Sequence, residues 1–161
     1  SLHCWASSQT YRQIAVGLSN HQVVILPVDA EGHLRKGPTL KGHMDSVSAI
    51  AWEPDGQHLW SVGYDKRLIR WRASDWQAVC TKHIAEGDPL QALAVHPSGE
   101  FLATGDWDAN LRLFDPKGQA LGCWRWPHYN AVEALAFHQD GSRLASASSD
   151  GLICVWRIQR S

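Results

Sequence analysis

The chain has 161 residues, 44% of them apolar and 19% charged, with a formal net charge of −1. That balance belongs to a soluble folded protein, of a size whose core buries roughly 70% of the unfolded chain's surface, and it gives no whole-chain attraction to nucleic acid or to an anionic membrane. No secretory signal or apolar run of bilayer length is present, and Cys4, Cys80, Cys123 and Cys154 form no C-x-x-C pair, so neither a zinc site nor a redox dithiol is indicated and no metal or other cofactor is expected.

In chain order, residues 2–40 read as a worn unit of four short strands. Trp5 lies near its strand a, Ile14 to Gly17 form strand b, Asn20 holds a turn, Val23 to Leu26 form strand c, and Leu34 to Leu40 strand d. Residues 42–84 give a sharper unit. Val47, Ile50 and Trp52 mark strand a, Pro54-Asp55-Gly56 a turn, Leu59 to Val62 strand b, Leu68 to Trp71 strand c, and Gln77 to Lys82 strand d. Apolar alternation carries these assignments, and Asp65-Lys66 falls where an Asp bonds its own backbone in a tight hairpin.

Residues 85–126 repeat the pattern, with strand d at Gln119 to Trp126, and 127–158 repeat it without a strand d. The stretches DSVSAIAWEPDGQHLWSVGYDKRLIRW from Asp45, DPLQALAVHPSGEFLATGDWDANLRLF from Asp88 and NAVEALAFHQDGSRLASASSDGLICVW from Asn130 align at spacings of 43 and 42 residues. Repetition of this kind decides the fold: an all-β chain of antiparallel sheets, with no separate domain and no long helix. Cys80 and Cys123 lie one period apart and read as half-buried thiols in equivalent strands rather than a disulfide, which fits a reducing, cytoplasmic setting. Met44 is the only methionine, so Ser1 is either a processed terminus or the start of a piece of a longer chain.

Gly42-His43, then Ser61, Asp65 and Trp71, resemble the WD-repeat pattern of Gly-His followed by Ser-x-x-x-Asp and a closing Trp-Asp. The resemblance runs from about Leu2 to Ile158, with Arg72 and Arg157 in place of the closing Asp. It implies WD40-type β-propeller blades of four antiparallel strands, about four of them, making a partial ring or half-propeller.

Ser61, His43 and Asp65 are the residue types of a hydrolytic triad. They recur, however, as Ser146, His128 and Asp150, each displaced by 85 residues together with Trp71 and Trp156. An active site has no reason to recur at the structural period. The resemblance implies instead a structural chain of hydrogen bonds from Trp through Ser and His to Asp, tying strands b and c to the connector that enters the blade. In the third unit Glu86, Thr104, Asp108 and Phe114 stand at these positions, which predicts a looser blade; in the first, Val16 and Leu26 leave only apolar packing.

The resemblance also implies that partners bind on the face carrying the d-to-a connectors and b-to-c turns. Carried over blade by blade, the positions are Ser46, Ser48 and Tyr64, then Pro89, Gln91 and Trp107, then Ala131, Glu133 and Ser149. Tyr64 and Trp107 suit interface anchors, since aromatic rings bring much contact area at little entropy cost; the alternative is that each ring packs on a neighbouring blade. Trp124 and Trp126 share one face of an outer strand and either cover the sheet or form a sticky edge. His58, His83, His96 and His138 lack ligand spacing, so no metal site is expected.

Three functions follow for comparison. A protein-interaction scaffold, part of a larger complex, is favoured by the near-consensus blades and neutral charge. A channel-based enzyme or ligand binder is disfavoured by alanines at 49, 51, 92, 94, 134 and 136, where the inner ends of strand a would need polar groups. A ligand-sensing or regulatory module attached to an effector outside this chain is the third. The resemblance implies rings of six to eight blades, so further blades are expected from a second copy, another chain or the rest of a longer propeller of which this chain is a part.

Overall fold

The computed structural model describes residues 1–8, 10–125 and 127–158. Among them the alternating apolar positions form strands in four antiparallel sheets, taken up in chain order. Blade one comprises β1 (Leu2–Ser8), β2 (Gln13–Leu18), β3 (Gln22–Pro27) and β4 (Thr39–Lys41); blade two β5 (Val47–Trp52), β6 (His58–Gly63), β7 (Arg67–Arg72) and β8 (Ala78–His83). Blade three comprises β9 (Leu90–Val95), β10 (Leu102–Asp106), β11 (Leu111–Phe114) and β12 (Ala120–Trp124); blade four β13 (Val132–Phe137), β14 (Arg143–Ser148) and β15 (Ile153–Arg157). The first three sheets have four strands and the last has three, in simple up-and-down order. Among the described residues no helix is long and apolar enough to cross a membrane.

The b-to-c hairpins share one backbone solution. His21, Lys66, Ala109 and Gly151, each following the Asn or Asp of the turn, have φ of 70°, 60°, 60° and 86°. The chain reverses there in the left-handed region, which costs an L-residue energy and is held only because the flanking strands fix it.

Strand d of blade one is shorter than expected. Asp29 accepts hydrogen bonds from the N–H groups of Glu31 and His33 and from Arg35 Nε, which pulls residues 29–35 into a loop. Leu34 keeps a single bridge to Val28, and the regular strand begins only at Thr39. Strand d of blade two lies one residue later than expected at each end, because Asp75 binds Arg72 and the N–H of Gln77 and turns the chain there. Strand d of blade three ends at Trp124; Trp126 lies outside the described residues.

The core consists of three apolar slabs between adjacent blades. Between blades one and two, Ala15, Val23, Ile25 and Leu40 meet Val47, Ile50, Leu59, Ile69 and Trp71. Between two and three, Trp60, Val62 and Leu68 meet Leu90, Leu93, Leu102 and Phe114. A third slab joins Ala103 and Leu111 to Leu144, with Leu135, Phe137 and Trp156 against it. The period of two sends alternate residues of β6 to opposite slabs, Leu59 toward blade one and Trp60 toward blade three. In blades two and three the alanines of strand a belong to this packing, Ala49 and Ala51 against the second slab and Ala92 and Ala94 buried, while Ala134 and Ala136 of blade four are exposed. Small residues here let the blades approach. At Gly105 even one methyl group would stand 2.5 Å from Val132 of the next blade.

Candidate interaction face

The four residues of the repeated set in blade two form one hydrogen-bonded line. His43 Nδ1 lies 3.0 Å from Asp65 Oδ1 and its Nε2 2.8 Å from Ser61 Oγ, to which the Trp71 indole N–H donates at 2.8 Å. Because the carboxylate only accepts, Nδ1 carries the proton and Nε2 accepts from the Ser61 hydroxyl. Blade four repeats the line: His128 to Asp150 at 3.1 Å, His128 to Ser146 at 2.8 Å, Trp156 to Ser146 at 2.9 Å. Burial would raise the Asp65 pKa, but the bonds from His43 and from the N–H groups of Met44 and Arg67 outweigh it and hold the carboxyl below its ordinary range. Asp150 is likewise lowered against its burial by the N–H groups of Tyr129 and Leu152 and by His128. Ser61 and Ser146 are sealed from solvent, and each hydroxyl is fixed between an indole and an imidazole. The arrangement ties strands b and c of the blade to the connector that enters it.

Blade three holds a different network. Thr104 Oγ1 is buried with no hydrogen-bond partner, and Asp108 contributes to the network only its backbone N–H, to Asp106. The fully buried acid is Asp106, which accepts from the N–H and side-chain amide of Asn110 and from the Arg112 guanidinium. Arg112 Nη2 also donates to the Glu86 carbonyl at 2.8 Å. The equivalent of Asp106 in blade two is Gly63, where an added Cβ would lie 3.0 Å from both His43 Nδ1 and Asp65 Oδ1. The aspartate–arginine pair therefore occupies the room of the histidine–aspartate pair, which corrects the assignment of Asp108 to the network.

Two further polar ties were not read from the sequence. Glu53, buried at the end of β5, accepts from the Trp60 indole at 2.7 Å and from Arg70 at 2.7 and 2.8 Å. His96 Nε2 lies 3.0 Å from the Gly141 carbonyl of the next blade, with its ring stacked on Phe101 at 4.1 Å. Alternation points to the first, since 53, 60 and 70 fall on one face of three paired strands, but the pairing register must be known to see it. Among the described residues possible ligand atoms converge in two clusters, Asp29-Glu31-His33 and Glu53-Asp55-His58. In each an arginine already holds a carboxylate, Arg35 on Asp29 and Arg70 on Glu53, which leaves poor cation sites. All four cysteines are free, and burial pushes the Cys4 thiol up to about 11, so it is no reactive thiolate.

On the face carrying the b-to-c turns, Tyr64, Gln91, Trp107, Ala131, Glu133 and Ser149 line one cavity of about 480 Å³. Three blades supply them, Gln91 and Glu133 from strands and the others from turns and connectors. Equivalent backbone bonds position the turns: Tyr64 N–H to Ser46 carbonyl, Trp107 N–H to Pro89, Ser149 N–H to Ala131. The Tyr64 and Trp107 rings meet across the blade boundary with centroids 5.0 Å apart at 58°, and His3 stands edge-on to Tyr64 at 6.3 Å. Tyr64 is half-buried, and Trp107 is 48% exposed. Ser46 and Ser48 do not line this cavity. Their hydroxyls bond the Ser19 carbonyl at 3.2 Å and the Leu90 carbonyl at 2.6 Å, ties to the blades on either side.

The sequence reading missed the exposed Met44, Tyr129 and Leu152 on the same side. Met44 and Tyr129 both follow the histidine of the repeated set, and both give their N–H to its aspartate, which turns the side chain outward. Tyr129 is 92% exposed. Trp124, on the outer strand, is half-exposed over a small groove shared with Leu113, Trp156 and Ile158.

A family model described as WD domain, G-beta repeat matches residues 35–72, 76–115 and 123–157. The WD repeat-containing protein 26 homolog of Arabidopsis thaliana is 25% identical over 151 residues, covering 92% of this chain and 25% of that protein. Eukaryotic translation initiation factor 3 subunit I of Coccidioides immitis is 36% identical over 110 residues, 68% of this chain and 32% of that one. The periodic tryptophan protein 2 homolog of Schizosaccharomyces pombe is 32% identical over 113 residues, 70% of this chain and 13% of that one. The chain spans about a third or less of these curated relatives. The crystal structure of Chaetomium thermophilum Sqt1 shares the fold with a TM-score of 0.85 at 24% identity, over 98% of this chain and 44% of that one.

Proposed function

The chain belongs to the WD-repeat family, and from that premise we propose that it is a protein-interaction scaffold, part of a larger assembly, that captures partner proteins on the face centred on Tyr64 and Trp107. The observation that carries the reading is this ring pair: two aromatic groups from different blades, one half-exposed, at the mouth of a cavity rimmed by Gln91, Glu133 and Ser149. Ser46 and Ser48 belong to the support of the face. Large rigid rings beside small polar groups are the composition of binding hot spots. The relatives point the same way, since one is named as a subunit of a translation initiation factor and none of the three names a reaction. A cytoplasmic setting suits the four free thiols.

The proposal includes further blades at both ends of the arc. Ile153 and Val155 of blade four are 76% and 64% exposed, and Trp5 of blade one 63%, all on sheet faces whose equivalents elsewhere in the chain are covered by the adjoining blade. Further blades, from a second copy, another chain or the rest of a longer propeller, supply the cover. The test of the interaction role is affinity capture of partners with the Tyr64→Ala, Trp107→Ala double variant, beside a Lys117→Ala control remote from the face. The double variant loses its partners while folding like the parent; capture equal to that of the parent rejects the face.

A further inference from the structure

We propose that the cavity beside the Tyr64–Trp107 pair takes the guanidinium of an arginine side chain presented by the partner, so that the face selects basic segments. The inference rests on the interaction role above and names the chemistry of what is bound.

A relay of hydrogen bonds fixes the site. The Trp107 indole N–H can only donate, and it does so to Gln91 Oε1 at 3.1 Å. That orients the Gln91 amide, whose NH₂ then donates to Glu133 Oε2 at 3.2 Å. Ring and carboxylate are thereby held as two walls of the same cavity, with Asn130 and Ser149 adding neutral polar groups. None of its lining residues is cationic, and among the described residues no cationic side chain pairs with Glu133. Trp107 is also the wall of a second cavity of about 390 Å³, to which Asp108 adds a carboxylate and Tyr129 a ring. Aromatic surface next to acidic oxygen thus occurs in both cavities that Trp107 lines.

Those two features together select the ligand. An aromatic face attracts a cation, and a carboxylate accepts the forked N–H groups of a guanidinium. Arginine meets both at once because its planar, weakly hydrated head stacks while it donates, whereas the ammonium of lysine is a compact, strongly hydrated point charge. An acidic segment would be repelled by Glu133. A purely apolar one would desolvate the carboxylate without replacing its hydration.

The experiment follows the Trp107 indole N–H resonance of the isotope-labelled full chain, assigned with Trp107→Phe, during titration with capped Gly-Gly-X-Gly-Gly peptides. X is arginine, its neutral isostere citrulline, lysine or glutamate. Saturable binding of the arginine peptide is expected, with the citrulline and lysine peptides weaker by about tenfold or more. Glu133→Gln weakens the arginine peptide about tenfold, leaves citrulline unchanged and, being a surface change, leaves the rest of the spectrum intact. Equal response to arginine and citrulline, lysine binding as tightly as arginine, a preference for glutamate, or indifference to Glu133→Gln overturns the proposal. Partner capture that depends on Tyr64 and Trp107 together with such a result would reject this inference alone. Capture that ignores both rings would reject the interaction role itself.

Discussion

A hydroxyl at the centre of a hydrogen-bond line is costly to lose when both neighbours are buried. Ser61 accepts from Trp71 and donates to His43, so Ser61→Ala strands an indole N–H and an imidazole nitrogen in a site closed to water. The expected loss is about 2–3 kcal/mol. Thr104 stands at the same place in blade three, but its hydroxyl is buried with no partner. Thr104→Val removes that orphan with little change of shape and stabilises the chain by about 1 kcal/mol. Urea midpoints at unchanged slope check the pair, and a destabilising Thr104→Val contradicts the network described for blade three. Asp65 adds a pH signature. Its carboxyl in the folded chain titrates below the unfolded value of 3.8, so its contribution is full above that pH and is lost as pH falls through the folded value. Asp65→Asn therefore flattens the acid limb of the stability profile below about pH 4 relative to the parent, and an unchanged limb speaks against the His43–Asp65 bond as its source.

Each blade is built from the same alternation, yet the polar clamp at its edge is solved in two ways. Asp106 and Arg112 are buried together, with side-chain exposures of 0% and 9%. Removing one member leaves an uncompensated charge, so Asp106→Leu and Arg112→Met each cost about 3–5 kcal/mol, while the double replacement recovers most of the loss. Strict additivity in thermal unfolding of the four proteins would contradict the pairing. The clamp also marks how far the sequence can be read. Strands a, b and c were legible because the blade interfaces bury at least one of their faces, and both in the inner blades, which keeps them rich in apolar residues and preserves the spacings of 43 and 42. Strand d was less so. In β8 and β12 most positions face solvent, little selects the residue type, and local bonds such as Arg72 to Asp75 decide where pairing starts. The His–Ser–Asp–Trp sets were visible because they recur, and the ring pair because 64 and 107 share a place in the repeat. Asp106 with Arg112, and Glu53 with Trp60 and Arg70, occur once each and depend on pairing register. Tyr129 was hidden because its equivalent is the non-aromatic Met44.

At the scale of the molecule, the two outer faces are the two halves of one kind of interface. The exposed side of blade four, with Ala134, Ala136, Ile153 and Val155, is equivalent to the side of blade two that carries Ala49, Ala51 and Leu68 against blade three. The exposed side of blade one, with Trp5, Val16 and Leu26, is equivalent to the side of blade two that carries Ile69 and Trp71 against blade one. The two outer faces thus correspond to the two halves of an internal blade interface, and a contact between copies that uses them is heterologous, each copy contributing a different patch. Light scattering during size-exclusion chromatography should give a mass above the 17.9 kDa of one chain, rising with concentration. Ile153→Asp and Trp5→Asp each prevent closure of a ring of two copies, because either patch is needed. Mixed together, the two variants associate through the one contact that still has both patches intact, the unaltered blade-one face of the first meeting the unaltered blade-four face of the second. A self-complementary dimer through blade four would behave otherwise: Trp5→Asp would still pair with itself. Monomers at every concentration, for parent and variants alike, would remove this chain's own copies as the cover of these faces.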